Sequence, residues 1–107
     1  MISNEEIKLL VSAVVEASDP DKVILFGSYA TGKAGSDSDV DIFVVKDSNL
    51  PRHKRARLIR QSIRGRFPFP KDIVVYTPGE VEEWAHVAQS FTASVMQTGK
   101  VMYEKRR

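Results

Sequence analysis

The chain has 107 residues, of which 42% are hydrophobic and 28% charged, values typical of one small globular domain and not of a disordered segment. It contains no cysteine, which excludes disulfides, thiolate nucleophiles and cysteine-ligated metal centres, and we expect neither a signal peptide nor a membrane span. The formal net charge of +2 hides a basic segment, residues 51–66, with seven Lys and Arg residues and no acid. We therefore expect one cytoplasmic domain over residues 1–107.

The first half of the chain alternates predicted helix and strand. Ser3 and Glu6 match a capping box, and apolar residues then recur at helical spacing. The apolar run at residues 23–26 is typical of a strand that is buried on both faces. The predicted elements are a helix over residues 4–17, a strand over 23–26, a short helix over 29–34 and a strand over 40–45.

The second half continues the alternation. Ala56, Ile59 and Ile63 form a narrow apolar stripe, which predicts a helix with a broad basic face in the basic segment. The remaining predicted elements are a strand over residues 72–76, a helix opened by the Thr77–Glu80 capping box, a helix over 91–98 with a left-handed cap at Gly99, and an edge strand over 101–103. Together these elements predict an α/β or α+β fold, a sheet with helices packed on it.

Two carboxylates at the start of the second predicted strand are candidate functional residues. Asp39 and Asp41 are two positions apart, so their side chains project from the same face. At about 4 Å, two such charges repel by roughly 4 kcal/mol at an effective dielectric of 20, so a cation is needed to offset them. Mg²⁺ is commonly held by one or two carboxylates together with substrate phosphates. Two solvated carboxylates without a function are an equally good interpretation of these residues alone.

Gly27 and Ser28 directly follow the first strand. A glycine there lets the backbone approach a ligand closely, and the start of the next helix suits a phosphate group. The simpler interpretation is that Ser28 is a helix N-cap.

Asp72 opens the third predicted strand. If that strand lies beside the one that carries Asp39 and Asp41, Asp72 completes a group of three carboxylates and can accept a proton from an attacking hydroxyl. Otherwise it is a surface residue at the end of a strand.

The run LFGSYATGKAGSDSDVDIFVV resembles the nucleotidyltransferase motif of the DNA polymerase beta superfamily, in which a glycine–serine pair precedes two aspartates. The length and order of the whole chain resemble the minimal nucleotidyltransferases of that superfamily. The resemblance implies a polymerase-beta-like fold with a small mixed β-sheet. It also implies that Gly27 and Ser28 hold a triphosphate and that Asp39, Asp41 and Asp72 are catalytic and bind two Mg²⁺ ions. Family members often carry an arginine where this chain has Thr31, so Lys33 or a partner would neutralise the phosphates.

The same resemblance implies an activity and a partner. Minimal nucleotidyltransferases are commonly encoded beside a HEPN-domain toxin, and in several such pairs they act as antitoxins that transfer AMP from ATP to a tyrosine of the toxin. We therefore expect a hetero-oligomer with a HEPN-domain protein, with a homodimer as a further arrangement. The alternative is an antitoxin that neutralises its partner by binding alone.

Other features are less specific. The basic face can meet RNA, an acidic partner or nucleotide phosphates, or can simply be solvated, and its segment contains no aromatic residue to stack on bases, which disfavours nucleic acid. His53 and His86 lack partners at metal-ligand spacing. Trp84 and Phe91 are expected in the core or in a partner interface, and Tyr29 either packs or contacts nucleotide.

Overall fold

The computed structural model describes residues 1–106. Its elements, in chain order, are α1 (Asn4–Ser18), β1 (Lys22–Phe26), α2 (Ser28–Thr31), β2 (Val40–Val45), α3 (Arg52–Arg55), α4 (Arg57–Ile63), β3 (Lys71–Tyr76), α5 (Pro78–Trp84), α6 (Phe91–Thr98) and β4 (Lys100–Glu104). Arg107, the last residue of the predicted domain, lies outside the described residues.

The four strands form one mixed sheet in the order β3-β2-β1-β4. β1 is antiparallel to both of its neighbours, β2 and β4, while β2 and β3 run parallel. The sheet confirms the predicted fold class, and its order places the end of β1 beside the beginnings of β2 and β3.

Helices cover both faces of the sheet. On one face, α1 and α4 pack on alternate strand residues that include Val40, Ile42 and Val44, all fully buried. On the other face, α5 and α6 pack on Phe43 and Val45 through Val81 and Val95. The resulting helix–sheet–helix arrangement explains why β1 and β2 are apolar on both faces.

Both predicted capping boxes are present, at Ser3–Glu6 and at Thr77–Glu80. The predicted left-handed cap at Gly99 is wrong, because this residue is extended (φ −76°, ψ 163°) and leads directly into β4. A Cβ atom at Gly99 would lie 2.6 Å from the carbonyl oxygen of Val95, so glycine is required here by close packing and not by its backbone angles.

The basic segment forms two short helices and not the single helix that was predicted. The chain turns at Ala56, so that α3 contacts β3 whereas α4 packs against α1. The Arg55 side chain is only 9% exposed and donates hydrogen bonds to Glu80 and to the carbonyl oxygen of Val75. Arg60 donates to the carbonyl oxygen of Ile73. Part of the basic face is therefore bonded within the domain and is not free to meet a ligand.

Among residues 1–106, no helix is both long enough and apolar enough to span a membrane.

Candidate active site

The predicted carboxylates lie at one end of the sheet, on the face that α5 and α6 cover. Asp41 is paired with Phe26 of β1 on one side and with Asp72 of β3 on the other. Asp39 lies two residues before Asp41, just outside β2, and is exposed. The strand that begins beside Asp72 was expected to be adjacent to the strand of Asp41 if Asp72 belongs to the site. The structure shows this adjacency, since β3 is the immediate neighbour of β2.

Gly27 brings the backbone against Asp41. It adopts φ +74° and ψ −153°, a conformation that is essentially restricted to glycine. A Cβ atom at this position would collide with Oδ2 of Asp41. The turn after β1 and the carboxylate on β2 are thus in direct contact, and this contact requires a glycine.

The surroundings of Asp41 disfavour its charged form. Partial burial, followed by the negative charges of Asp72 and Asp39, raises the pKa of Asp41 above its usual value. A cation placed between these carboxylates removes both penalties, because it replaces lost solvation and screens the repulsion.

α2 begins directly after Gly27, which occupies the N-cap position, so Ser28 is the first helical residue and not the N-cap. The backbone N–H groups at a helix start have no intrahelical acceptor. Thr31 donates a hydroxyl hydrogen bond to the carbonyl oxygen of Gly27. Its side chain therefore helps to close the turn.

Two lysines flank the site in sequence. The exposed Lys33 donates its backbone N–H to the carbonyl oxygen of Ser28. Lys71 precedes Asp72, but its ammonium group donates to the carbonyl oxygens of Phe67 and Phe69 and is held by that loop. Of the two, Lys33 is the one whose ammonium group makes no hydrogen bond or ion pair within residues 1–106, so it can meet a phosphate.

The donor set suits a hard divalent cation, since it consists of carboxylate oxygens. Within residues 1–106, no group of three or more His, Cys, Asp or Glu side chains is drawn together closely enough to hold a metal ion by itself. Asp41 and Asp72 share a register position, which provides two carboxylates, and Mg²⁺ usually completes its shell with water and substrate phosphates. The chemistry of the site therefore fits a metal that binds together with a nucleotide.

Aromatic residues next to the carboxylates were not recognised as a group from the sequence. The rings of Phe26 and Phe91 are 5.3 Å apart, and the ring of Phe91 is 5.9 Å from that of Tyr76. Phe26 is the cross-strand neighbour of Asp41. Only the strand pairing reveals this proximity, because Phe91 is far from Phe26 in the chain. Tyr29, by contrast, packs against the core, and its hydroxyl accepts a hydrogen bond from the backbone of Ile2.

Solved structures share this fold. A protein from Sulfolobus solfataricus, provisionally identified as a nucleotidyltransferase, matches 94% of this chain and 79% of its own with a TM-score of 0.65 and 22% identity. A chain of a toxin–antitoxin structure with AMP-PNP matches over 92% of this chain and 74% of its own, with a TM-score of 0.61 and 21% identity. A chain of a double Asp-to-Glu mutant of the toxin–antitoxin MntA-HpeT covers 98% of this chain and 76% of its own, with a TM-score of 0.58 and 19% identity.

No curated protein sequence matches this chain significantly. The model of the nucleotidyltransferase domain family matches residues 7–105, which include the glycine–serine turn and all three aspartates. That match covers nearly the whole chain and agrees with the enzyme class expected from the motif, and the chain therefore belongs to the nucleotidyltransferase domain family.

Proposed function

We propose that residues 1–107 form one catalytic domain that transfers AMP from ATP to a hydroxyl group of a cognate HEPN-domain toxin and thereby acts as an antitoxin. The observation that carries the proposal is the position of Asp41, which lies against the Gly27 turn and beside Asp72. Transfer of a phosphate-linked group requires a turn that can bind phosphates next to carboxylates that can bind a metal.

In this proposal the turn binds the triphosphate. The backbone N–H groups at the start of α2 and the hydroxyl of Ser28 donate to phosphate oxygens, and Gly27 lets this turn lie directly against Asp41. Lys33, exposed just beyond α2, offsets part of the phosphate charge.

The carboxylates hold the metal and the proton. Asp39, Asp41 and Asp72 would hold two Mg²⁺ ions, which supply charge neutralisation of the phosphate oxygens when bound. Asp72 is exposed at the start of an edge strand, where an acceptor can reach it, and it accepts the proton of the attacking hydroxyl. The acceptor oxygen forms a bond to the α-phosphorus, the bond from the α-phosphorus to the β-phosphate oxygen breaks, and pyrophosphate leaves.

The choice of acceptor rests on the resemblance to minimal nucleotidyltransferases. It is supported by the similarity in fold to two toxin–antitoxin structures, one of which contains AMP-PNP. The acceptor we propose is a tyrosine hydroxyl of the HEPN-domain partner.

The experiment combines the protein, the HEPN-domain protein encoded beside it, ATP and Mg²⁺, and measures the mass of the partner. We expect an increase by one or more AMP units with the wild-type protein and none with Asp41→Asn. Asp47→Asn serves as a matched control, because Asp47 is an exposed aspartate in the loop after β2, at the other end of that strand from Asp41, and carries no proposed role.

Two results would contradict the proposal. One is an unchanged partner mass with the wild-type protein under conditions in which the two proteins form a complex. The other is full neutralisation of the toxin by the Asp41→Asn variant with complex formation unchanged, which would instead support the antitoxin that acts by binding alone.

A further inference from the structure

A pocket of about 260 Å³ lies on the face of the sheet that carries the carboxylates. Its lining residues are Arg52, Tyr76, Trp84, Ser90, Phe91 and Thr92. Trp84 is 43% exposed and Phe91 is 45% exposed, although both are large aromatic residues. The volume is below the ~300–1,000 Å³ of sites that enclose a whole drug-sized ligand, so the pocket suits one ring system of a larger molecule.

The pocket is connected to the carboxylates through aromatic contacts. Phe91 packs edge-to-face on Phe26, with ring centroids 5.3 Å apart, and Phe26 is the cross-strand partner of Asp41. Side chains of such a pair lie about 4.5–5.5 Å apart at their Cβ atoms. Phe91, a wall residue of the pocket, and Phe26 therefore lie between the pocket and Asp41.

The chemistry of the lining favours a flat, uncharged ring. Trp84 and Phe91 offer exposed ring surfaces, and the guanidinium group of Arg52 lies 4.2 Å from the ring centroid of Tyr76. No carboxylate lines the pocket among the described residues, and the hydroxyl-bearing Ser90 and Thr92 contribute polar groups. Stacking on such surfaces tolerates any base, because every nucleobase has a π face.

We propose that this pocket binds the base of the nucleoside triphosphate, with Trp84 and Phe91 as the stacking residues. The proposal rests on the proposed function, since it needs the phosphates at the Gly27 turn. In a nucleotide the ribose joins the base to the α-phosphate, so in this proposal the ribose lies over Phe91 and Phe26, between the pocket and Asp41. Trp84 and Phe91, which the sequence assigned to the core or to a partner interface, thus become residues that determine nucleotide binding.

Trp84 is the only tryptophan of the chain and reports directly on its own pocket. The test compares ATP with inorganic tripolyphosphate, which lacks base and sugar, each with Mg²⁺. We expect both to raise the melting temperature of the wild-type protein, and only ATP to quench the fluorescence of Trp84.

Variants of the pocket residues distinguish binding of the base from binding of the phosphates. Calorimetric titration of Trp84→Ala and Phe91→Ala should give ATP dissociation constants about tenfold larger than that of the wild type, the lower part of the range for loss of one stacked base. Tripolyphosphate affinity should not change. Trp84→Phe retains a ring and should recover most of the ATP affinity. The stacking role of Trp84 can therefore be tested even if Phe91→Ala does not fold. Leu58→Ala is the control, because Leu58 is 69% exposed on α4 and lies outside this pocket.

Each other outcome overturns the proposal in a distinguishable way. If ATP and tripolyphosphate both stabilise the protein but ATP leaves the fluorescence and the Trp84→Ala affinity unchanged, the pocket does not hold the base while the proposed function stands. If Trp84→Ala weakens complex formation with the HEPN-domain protein and not ATP binding, the pocket belongs to a protein interface. If neither probe stabilises the wild-type protein, the proposed function fails and the base pocket fails with it.

Discussion

Replacement of Gly27 by alanine is the sharpest test of the contact on which the site depends. The added Cβ atom would collide with Oδ2 of Asp41, and the backbone angles of φ +74° and ψ −153° disfavour any residue with a side chain. One methyl group therefore strains the turn and displaces the carboxylate at the same time.

The two effects have different sizes and different readouts. Holding a residue other than glycine in such a conformation costs about 1–3 kcal/mol. For a domain of roughly this size, each kcal/mol lowers the melting temperature by about 4–8 °C. Displacement of Asp41 adds a loss of nucleotide binding and transfer that backbone strain alone does not cause.

Gly65→Ala separates strain from collision. Gly65 has φ +78°, close to that of Gly27, but a Cβ atom there would meet nothing within 4 Å. We expect both variants to melt at lower temperature, and only Gly27→Ala to lose the rise in melting temperature that ATP and Mg²⁺ give and the transfer of AMP. A Gly27→Ala protein that binds and transfers as well as Gly65→Ala would refute the role given to this contact.

Three further predictions concern stability and ligand binding. The hydrogen bonds from Arg55 lower the pKa of Glu80 to about 2 from 4.5, so this carboxylate stabilises the fold above pH 4.5 and loses that contribution as the pH falls from 4.5 towards 2. The Glu80 side chain is 24% exposed, so we expect Glu80→Gln to lower the free energy of unfolding in urea by about 1–2 kcal/mol at pH 7. This difference in unfolding free energy should shrink as the pH falls from 4.5 towards 2. A difference that stays constant with pH would show that the ion pair does not contribute. Gly99→Ala should cost about 1–3 kcal/mol in the same assay through overpacking, whereas Gly35→Ala, which has open space around it, should unfold close to the wild type. With Mg²⁺ present, ATP at about 100 times its dissociation constant should raise the free energy of unfolding by about 2.7 kcal/mol. An equal rise in excess EDTA would contradict binding of the nucleotide together with a metal.

Local patterns sufficed for the elements that are fixed by local interactions. The capping boxes at Ser3 and Thr77 form because the side-chain and backbone groups involved are only three residues apart. The strand over residues 40–45 and the helix over 91–98 have the bounds that were predicted. Asp39 lies just outside β2, and its negative charge contributes to the raised pKa of Asp41.

Features that depend on pairing between distant segments could not be predicted in this way. The neighbour of Asp41 on β3 is set by the strand order, which was stated from the sequence only as a condition for Asp72. Gly99 was assigned to a helix cap because that is a common role of glycine, whereas its actual constraint is the nearby Val95 carbonyl group and the side chain of Ile24. The contact between Phe26 and Phe91 depends on the same tertiary packing.

The basic segment shows how tertiary packing changes the meaning of a charge pattern. β3 is an edge strand, and its outward carbonyl groups at Ile73 and Val75 have no neighbouring strand to bond them. Arg60 and Arg55 donate to these two carbonyl groups, which are two residues apart and therefore face the same side of the strand. The two arginines thus bond the outer edge of β3, the strand that carries Asp72, where no further strand is paired. The positive charge that suggested a ligand-binding face thus helps to fix the strand that carries the third carboxylate of the proposed site.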